Sequence, residues 1–160
     1  MKKILLSILP LIILASSCEE IQIASNILEV KFENFRVNDT TLVVSFRDGD
    51  GDIGIYEGDT TIKENFYLTF LKFDTTDGKF VELTLETEPN FRIPYIPEPE
   101  GVNKSLIGEI EINLTYAFPL DIAEADSFYL RFYMEDRALH KSNVDSMKPA
   151  ASLRYLREKH

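Results

Sequence analysis

The sequence predicts an all-β domain, a β-sandwich of about seven short strands, downstream of residue 26. Three observations carry this. Several runs alternate apolar and polar residues with period two, clearest in Phe66 to Phe73 and in Phe128 to Met134. Turn signals such as Asn38-Asp39-Thr40 and Asp77-Gly78 separate those runs. No stretch of comparable length carries the helical period. Alternation by itself serves a closed barrel as well as a sandwich.

The strands follow in order. Ile27 to Glu33 places Val30 and Phe32 on one face, and Glu29, Lys31 and Glu33 on the other. Thr41 to Phe46 is rich in β-formers, with Leu42, Val44 and Phe46 facing the core. Asn65 to Phe73 turns Phe66, Leu68 and Phe70 inward, and Phe80 to Leu85 returns after the Asp77-Gly78 hairpin. Glu88 to Ser105 holds Pro89, Pro94, Pro97 and Pro99. Proline removes backbone donors, so this segment reads as a long loop or an edge. Ile107 to Tyr116 alternates with Ile110, Ile112, Leu114 and Tyr116 inward. Phe118 to Ala125 fits a helical turn. Ser127 to Glu135 sends Phe128, Leu130, Phe132 and Met134 inward, and Val144 to Met147 supplies a last short strand.

The start of the chain has a different logic. Met1-Lys2-Lys3 precedes an apolar run from Ile4 to Leu14 and then Ala15-Ser16-Ser17-Cys18. A basic start, a short apolar core and small residues at the exit make a secretory signal, and the run is shorter than the about 20 residues a spanning helix needs. The expected organisation is a signal segment over 1–17, a tether over 18–26, the sandwich over 27–148 and a tail over 149–160. With 17 basic against 27 acidic side chains and a net charge of −10, the chain is unsuited to nucleic acid. Loss of the signal segment also removes Lys2 and Lys3, leaving the remainder more acidic still.

Cys18 is the only cysteine, so no disulfide forms within one chain. Its context resembles a bacterial lipobox, in which the cysteine is lipidated and becomes the mature N-terminus. Ala15 and Ser17 depart from the usual residues at their positions. The resemblance implies attachment to membrane through acyl chains, each buried CH2 contributing roughly 0.8 kcal/mol. Glu19-Glu20, just after the cysteine, resemble the surface-export signal of Bacteroidota lipoproteins. That implies an outer-membrane lipoprotein in the cell envelope, exposed at the surface.

The densest charge in the chain is Asp48-Gly49-Asp50-Gly51-Asp52-Ile53-Gly54. Hard cations prefer oxygen, and Ca2+ takes about 6–8 oxygen ligands. Asp48, Asp50 and Asp52 stand at the first, third and fifth positions of an EF-hand count, and Asp59 at the twelfth. Ile53 occupies the sixth position, where that loop needs glycine, so the EF-hand form is excluded. Two readings remain: a Ca2+ turn of another kind, with its carboxylates brought together by the glycines, or a solvated turn closing a strand. Asp136 and Asn143 frame a second loop. They either add oxygens to such a site or cap the hairpin backbone. Phe91 and Tyr95, in the proline-rich segment, are candidates to stack on a sugar or peptide, or else to cover the core.

Three pieces together look familiar: Val44 to Gly54, Phe91 to Tyr95 with Asn103 to Ile110, and Asp136 to Val144. They resemble uncharacterised Bacteroidota lipoproteins with an immunoglobulin-like or fibronectin-III-like domain, over roughly Glu29 to Met147. The last piece is similar to the hairpin of bacterial immunoglobulin-like repeats, with Leu139-His140 in place of the usual Gly-Asn. The resemblance implies the fold and the address and carries no activity. Four Asp-Thr or Asp-Ser sites also resemble the O-glycosylation sequon of secreted Bacteroidota proteins, at Thr40, Thr60, Thr75 and Ser146. Common turn vocabulary explains the same four sites.

His140 and His160 are the only histidines, and neither stands in a recognisable nucleophile motif. The expectation is therefore a lipid-anchored, non-catalytic module for binding or envelope structure, with an envelope protein or glycan as partner. A Ca2+-dependent recognition domain is the alternative, and a glycan-active enzyme comes third.

Overall fold

The computed structural model describes residues 26–101 and 103–151. Cys18 and the signal segment lie outside them, as do residues 152–160 of the tail. Strands β1 (Leu28–Arg36), β2 (Thr41–Asp48) and β5 (Leu106–Asn113) form one antiparallel sheet in the order β1-β2-β5. The second sheet runs β4 (Lys79–Glu82), β3 (Phe66–Asp74), β6 (Ser127–Met134) and then β7 (Asp145–Ser146), with β8 (Ala150–Ala151) also on β6. The two sheets pack as a sandwich, not a barrel. The first, second and fifth strands lie on one side and the third, fourth, sixth and seventh on the other. β7 and β8 are two pieces of one strand line, interrupted next to Pro149, which has no N–H to give.

Period-two burial builds the core. Leu42, Val44 and Phe46 of β2 face Phe66, Leu68 and Phe70 of β3, with Phe128, Leu130, Phe132 and Met134 of β6. Phe66 and Phe132 stack at 5.7 Å between centroids. Phe118 meets Phe70 and Phe128 edge-on, at 5.3 and 5.5 Å. The helical turn α1 (Leu120–Ala123) buries Ile122 over the end of the core.

Two expectations need correcting. β5 ends at Asn113, and Leu114 is the last residue of that run to point inward; Tyr116 is fully exposed. The turn that returns Ala117 N–H to Leu114 C=O (2.9 Å) breaks the alternation there. β4 stops at Glu82, short of Leu85, although Leu83 N–H still donates to Phe70 C=O at 2.9 Å.

One edge of the first sheet is closed by side chains. β1 pairs only with β2 on one side. On the other, the Asn143 amide accepts from Val30 N–H and donates to Val30 C=O, both at 2.9 Å. Asp145 accepts from Phe32 N–H at 2.7 Å. Asn143 therefore serves the backbone of β1 and stitches one sheet to the other.

Candidate metal centre

Asp48 keeps the parity of Leu42, Val44 and Phe46, so the inward face of β2 ends on a carboxylate with 0% exposure. The chain then folds back. Gly51 and Gly54 have φ of +74° and +83°, and a Cβ at either would run into backbone, Lys104 C=O in one case and Pro94 C=O in the other. Only glycine fits both demands. The bend aims Asp50 and Asp52 back at Asp48. Asp52 N–H donates to Asp48 Oδ2 at 2.8 Å, and Asp52 Oδ2 accepts from Ala138 N–H at 3.0 Å.

Asp136, just beyond β6, completes the group from the other sheet. Its Oδ1 accepts from His140 N–H at 2.8 Å and its Oδ2 lies 2.9 Å from His140 Nδ1. This small ring holds Leu139 at φ +66°, the left-handed position usually taken by glycine. The Asp136–His140 contacts close the turn with a leucine at that position. Asp136 thus does both things that its sequence context allowed, capping the hairpin and joining the acidic group. Asn143 does not join it; its amide is spent on β1.

One carboxylate oxygen from each of Asp48, Asp50, Asp52 and Asp136 lies within 4.8 Å of the others. Oδ1 of Asp48, Asp50 and Asp52 are each shielded from solvent and without a hydrogen-bond partner. A buried unpaired carboxylate oxygen is costly, and three together more so. The electrostatics agree. Burial first, then the Asp50 and Asp52 charges, pushes the Asp48 carboxyl up to about 6. Burial, then Asp136 and Asp50, does the same to Asp52, also to about 6.

A hard divalent cation fits this donor set. All four ligating groups are carboxylates, and the nearby imidazole nitrogen His140 Nδ1 is already engaged by Asp136. Oxygens facing each other across Ca2+ stand about 4.6–5.2 Å apart at 2.3–2.6 Å ligand distances, and across Mg2+ only about 4.0–4.2 Å. Separations within 4.8 Å let the four oxygens share one ion, and because Mg2+ keeps several waters and is rarely held by an all-protein cage, calcium suits the site better.

Asp59, the twelfth position of the EF-hand count, is outside this group. Its carboxylate accepts from Thr61 N–H and Oγ1 at 2.7 and 2.6 Å, and these bonds hold its pKa below the usual range. The bends at Gly51 and Gly54 remove the register on which that count depended.

A second cluster supports the loops, and sequence reasoning missed it. Arg137 Nη1 donates to Ile53 C=O at 2.9 Å and Nη2 to Glu98 at 2.7 Å. Its guanidinium lies 4.9 Å from the Tyr56 ring centroid and 5.0 Å from that of Tyr95. Those rings stack on one another at 4.4 Å. An arginine directly after Asp136 was the available signal, since four converging acids need a cation nearby. Phe91 and Tyr95 part company: Phe91 bridges to Phe66 and packs on the core, while Tyr95 is 37% exposed.

Of the four hydroxyls in modification-like contexts, Thr60, Thr75 and Ser146 are exposed. Thr40 is 1% exposed, so it is closed to a glycosyltransferase in the folded chain. Comparison with models of known families, with curated proteins and with solved structures finds no match to this chain.

Proposed function

We propose that this chain is an exported, lipid-anchored, non-catalytic envelope module whose loop end is locked by a structural Ca2+. The observation that carries the calcium part is the convergence of the Asp48, Asp50 and Asp52 carboxylates, each with a shielded, unpaired oxygen, on the Asp136 carboxylate from the opposite sheet. Because those oxygens are closed to solvent, the ion's work is to join segments. It would tie the end of β2 to the turn after β6, hence one sheet to the other. The rigid end so formed, with Tyr56 and Tyr95 on its surface, supports a binding or structural role better than chemistry on a substrate. The anchor is the lipid on Cys18, in the outer membrane.

Calorimetric titration of chelator-stripped protein tests the metal. Ca2+ should bind at one site with a Kd of about 1–100 μM, and Mg2+ much more weakly. Asp59→Asn should leave the titration unchanged. Absence of any binding heat, together with an unchanged Tm at about 5 mM Ca2+, ends the reading. Metabolic labelling with palmitate, lost in Cys18→Ala, tests the anchor.

A further inference from the structure

We infer that the calcium end of the sandwich is also its membrane-facing end, and that exposed apolar side chains there dock on the lipid surface holding the anchor. The inference rests on the anchor at Cys18 proposed above. The chain enters the fold at this end. Leu28, the first residue of β1, pairs with Asp48, and Leu106 of β5 pairs with Asp48 from the other side. Nine residues, Glu19 to Ile27, separate Cys18 from Leu28. At full extension they reach about 33 Å. The tether therefore joins the fold at the end bearing Asp48.

The apolar surface is distributed to match. Among the described residues, eight large hydrophobic side chains are exposed. Ile27, Tyr56, Tyr95, Ile107, Leu139 and Val144 sit on segments that enter or leave strands on the Asp48 side. Tyr116 and Leu120 alone lie at the opposite end, past Asn113. Single exposed apolar residues need no explanation, but six gathered where the tether arrives do. Tyrosines with aliphatic neighbours suit the interfacial zone of a bilayer, where ring bodies bury and hydroxyls stay wet. Arg47 is exposed on the same side and available to phosphate headgroups, while the Lys141 ammonium lies over the Tyr133 ring at 3.6 Å. Calcium has a part in this. Four converging carboxylates repel an anionic surface over about a Debye length, roughly 8 Å, and a bound divalent ion halves their charge.

Tryptophan reporters test the orientation, because the chain contains none. Leu139→Trp, Ile107→Trp, Leu120→Trp and Tyr116→Trp are made singly in the full chain. Each protein is coupled through Cys18 to maleimide lipids in phosphatidylglycerol-containing vesicles that carry a nitroxide-labelled lipid, with about 1 mM Ca2+ present. Quenching at positions 139 and 107 should exceed that at 116 and 120 severalfold. Equal quenching at all four, or stronger quenching at 116 and 120, overturns the proposal. So does a dimer in sedimentation that Leu139→Asp abolishes, if quenching at 139 and 107 is no greater than at 116 and 120; the surface then belongs to a second copy. Chemical coupling supplies the attachment, so failure of natural lipidation leaves this experiment intact. If calorimetry detects no calcium but the contrast persists, the metal reading falls and the docking stands.

Discussion

Asp48→Asn should change stability in opposite directions with and without calcium. At pH 7.5 in chelator, the folded state must keep Asp48 ionised although its carboxyl is pushed up to about 6 from an ordinary 3.8. The sign follows from linkage. A carboxyl raised on folding binds protons more tightly in the native state, so stability falls as pH rises from about 4 to 6, and the full cost applies above that. Two units correspond to about 3 kcal/mol at 1.36 kcal/mol each. Asparagine is neutral and nearly isosteric. Its Oδ1 still accepts from Asp52 N–H, and its Nδ2 donates to a neighbouring carboxylate in place of the unpaired oxygen. The variant should therefore be more stable by about 2–3 kcal/mol in chelator, and its Tm higher by roughly 10 °C. With calcium at about 100 times Kd, the wild-type chain gains about 2.7 kcal/mol. The variant has lost a charged ligand and should gain less than about 0.5 kcal/mol. Thermal unfolding by circular dichroism, with chelator and with calcium, measures all four values. A variant less stable than wild type in chelator, or one that keeps the whole calcium increment, would refute the reasoning.

Three further outcomes follow from the same geometry. In chelator, denaturant unfolding should show wild-type stability falling between pH 4.5 and pH 7, because Asp48 and Asp52 are both raised to about 6; with calcium the slope should reverse, since the ion competes with protons for those oxygens. Gly54→Ala puts a Cβ against Pro94 C=O at φ +83°, and should cost at least about 2–3 kcal/mol in urea unfolding with or without calcium. Asn143→Ala removes both hydrogen bonds to Val30 and should cost about 1–3 kcal/mol while leaving calcium affinity within about twofold.

Much of this was legible in the chain itself. The parity of Leu42, Val44 and Phe46 already points Asp48 inward, and the burial of Phe128, Leu130, Phe132 and Met134 follows from alternation alone. Parity is a local rule, and it fails where the backbone turns, as at Leu114, beyond which Tyr116 swings into solvent. The metal centre was half legible. Its three near carboxylates share one loop, but Ala138, which holds Asp52, is 86 positions away. That partnership comes from sheet packing, which no spacing rule encodes. Counting on to Asp59 failed for the same kind of reason: a pitch borrowed from one loop does not survive two left-handed glycines. Arg137 was signalled only by its place next to Asp136; its packing on Tyr56 and Tyr95 was illegible because the three come from separate segments.

The Asn143 amide on Val30 has a consequence for the fate of the protein over time. Among the described residues, the Asn143 side chain covers the Val30 stretch of β1's outer edge, standing in for a neighbouring strand one residue long. Hydrolysis of that amide would leave a carboxylate facing Val30 C=O, acceptor against acceptor, and the cover would lift. An open strand edge pairs readily with another chain's edge. Spontaneous ageing of a single amide would thus favour association through β1, and freshly made and long-stored protein should differ in their state of assembly before they differ in fold.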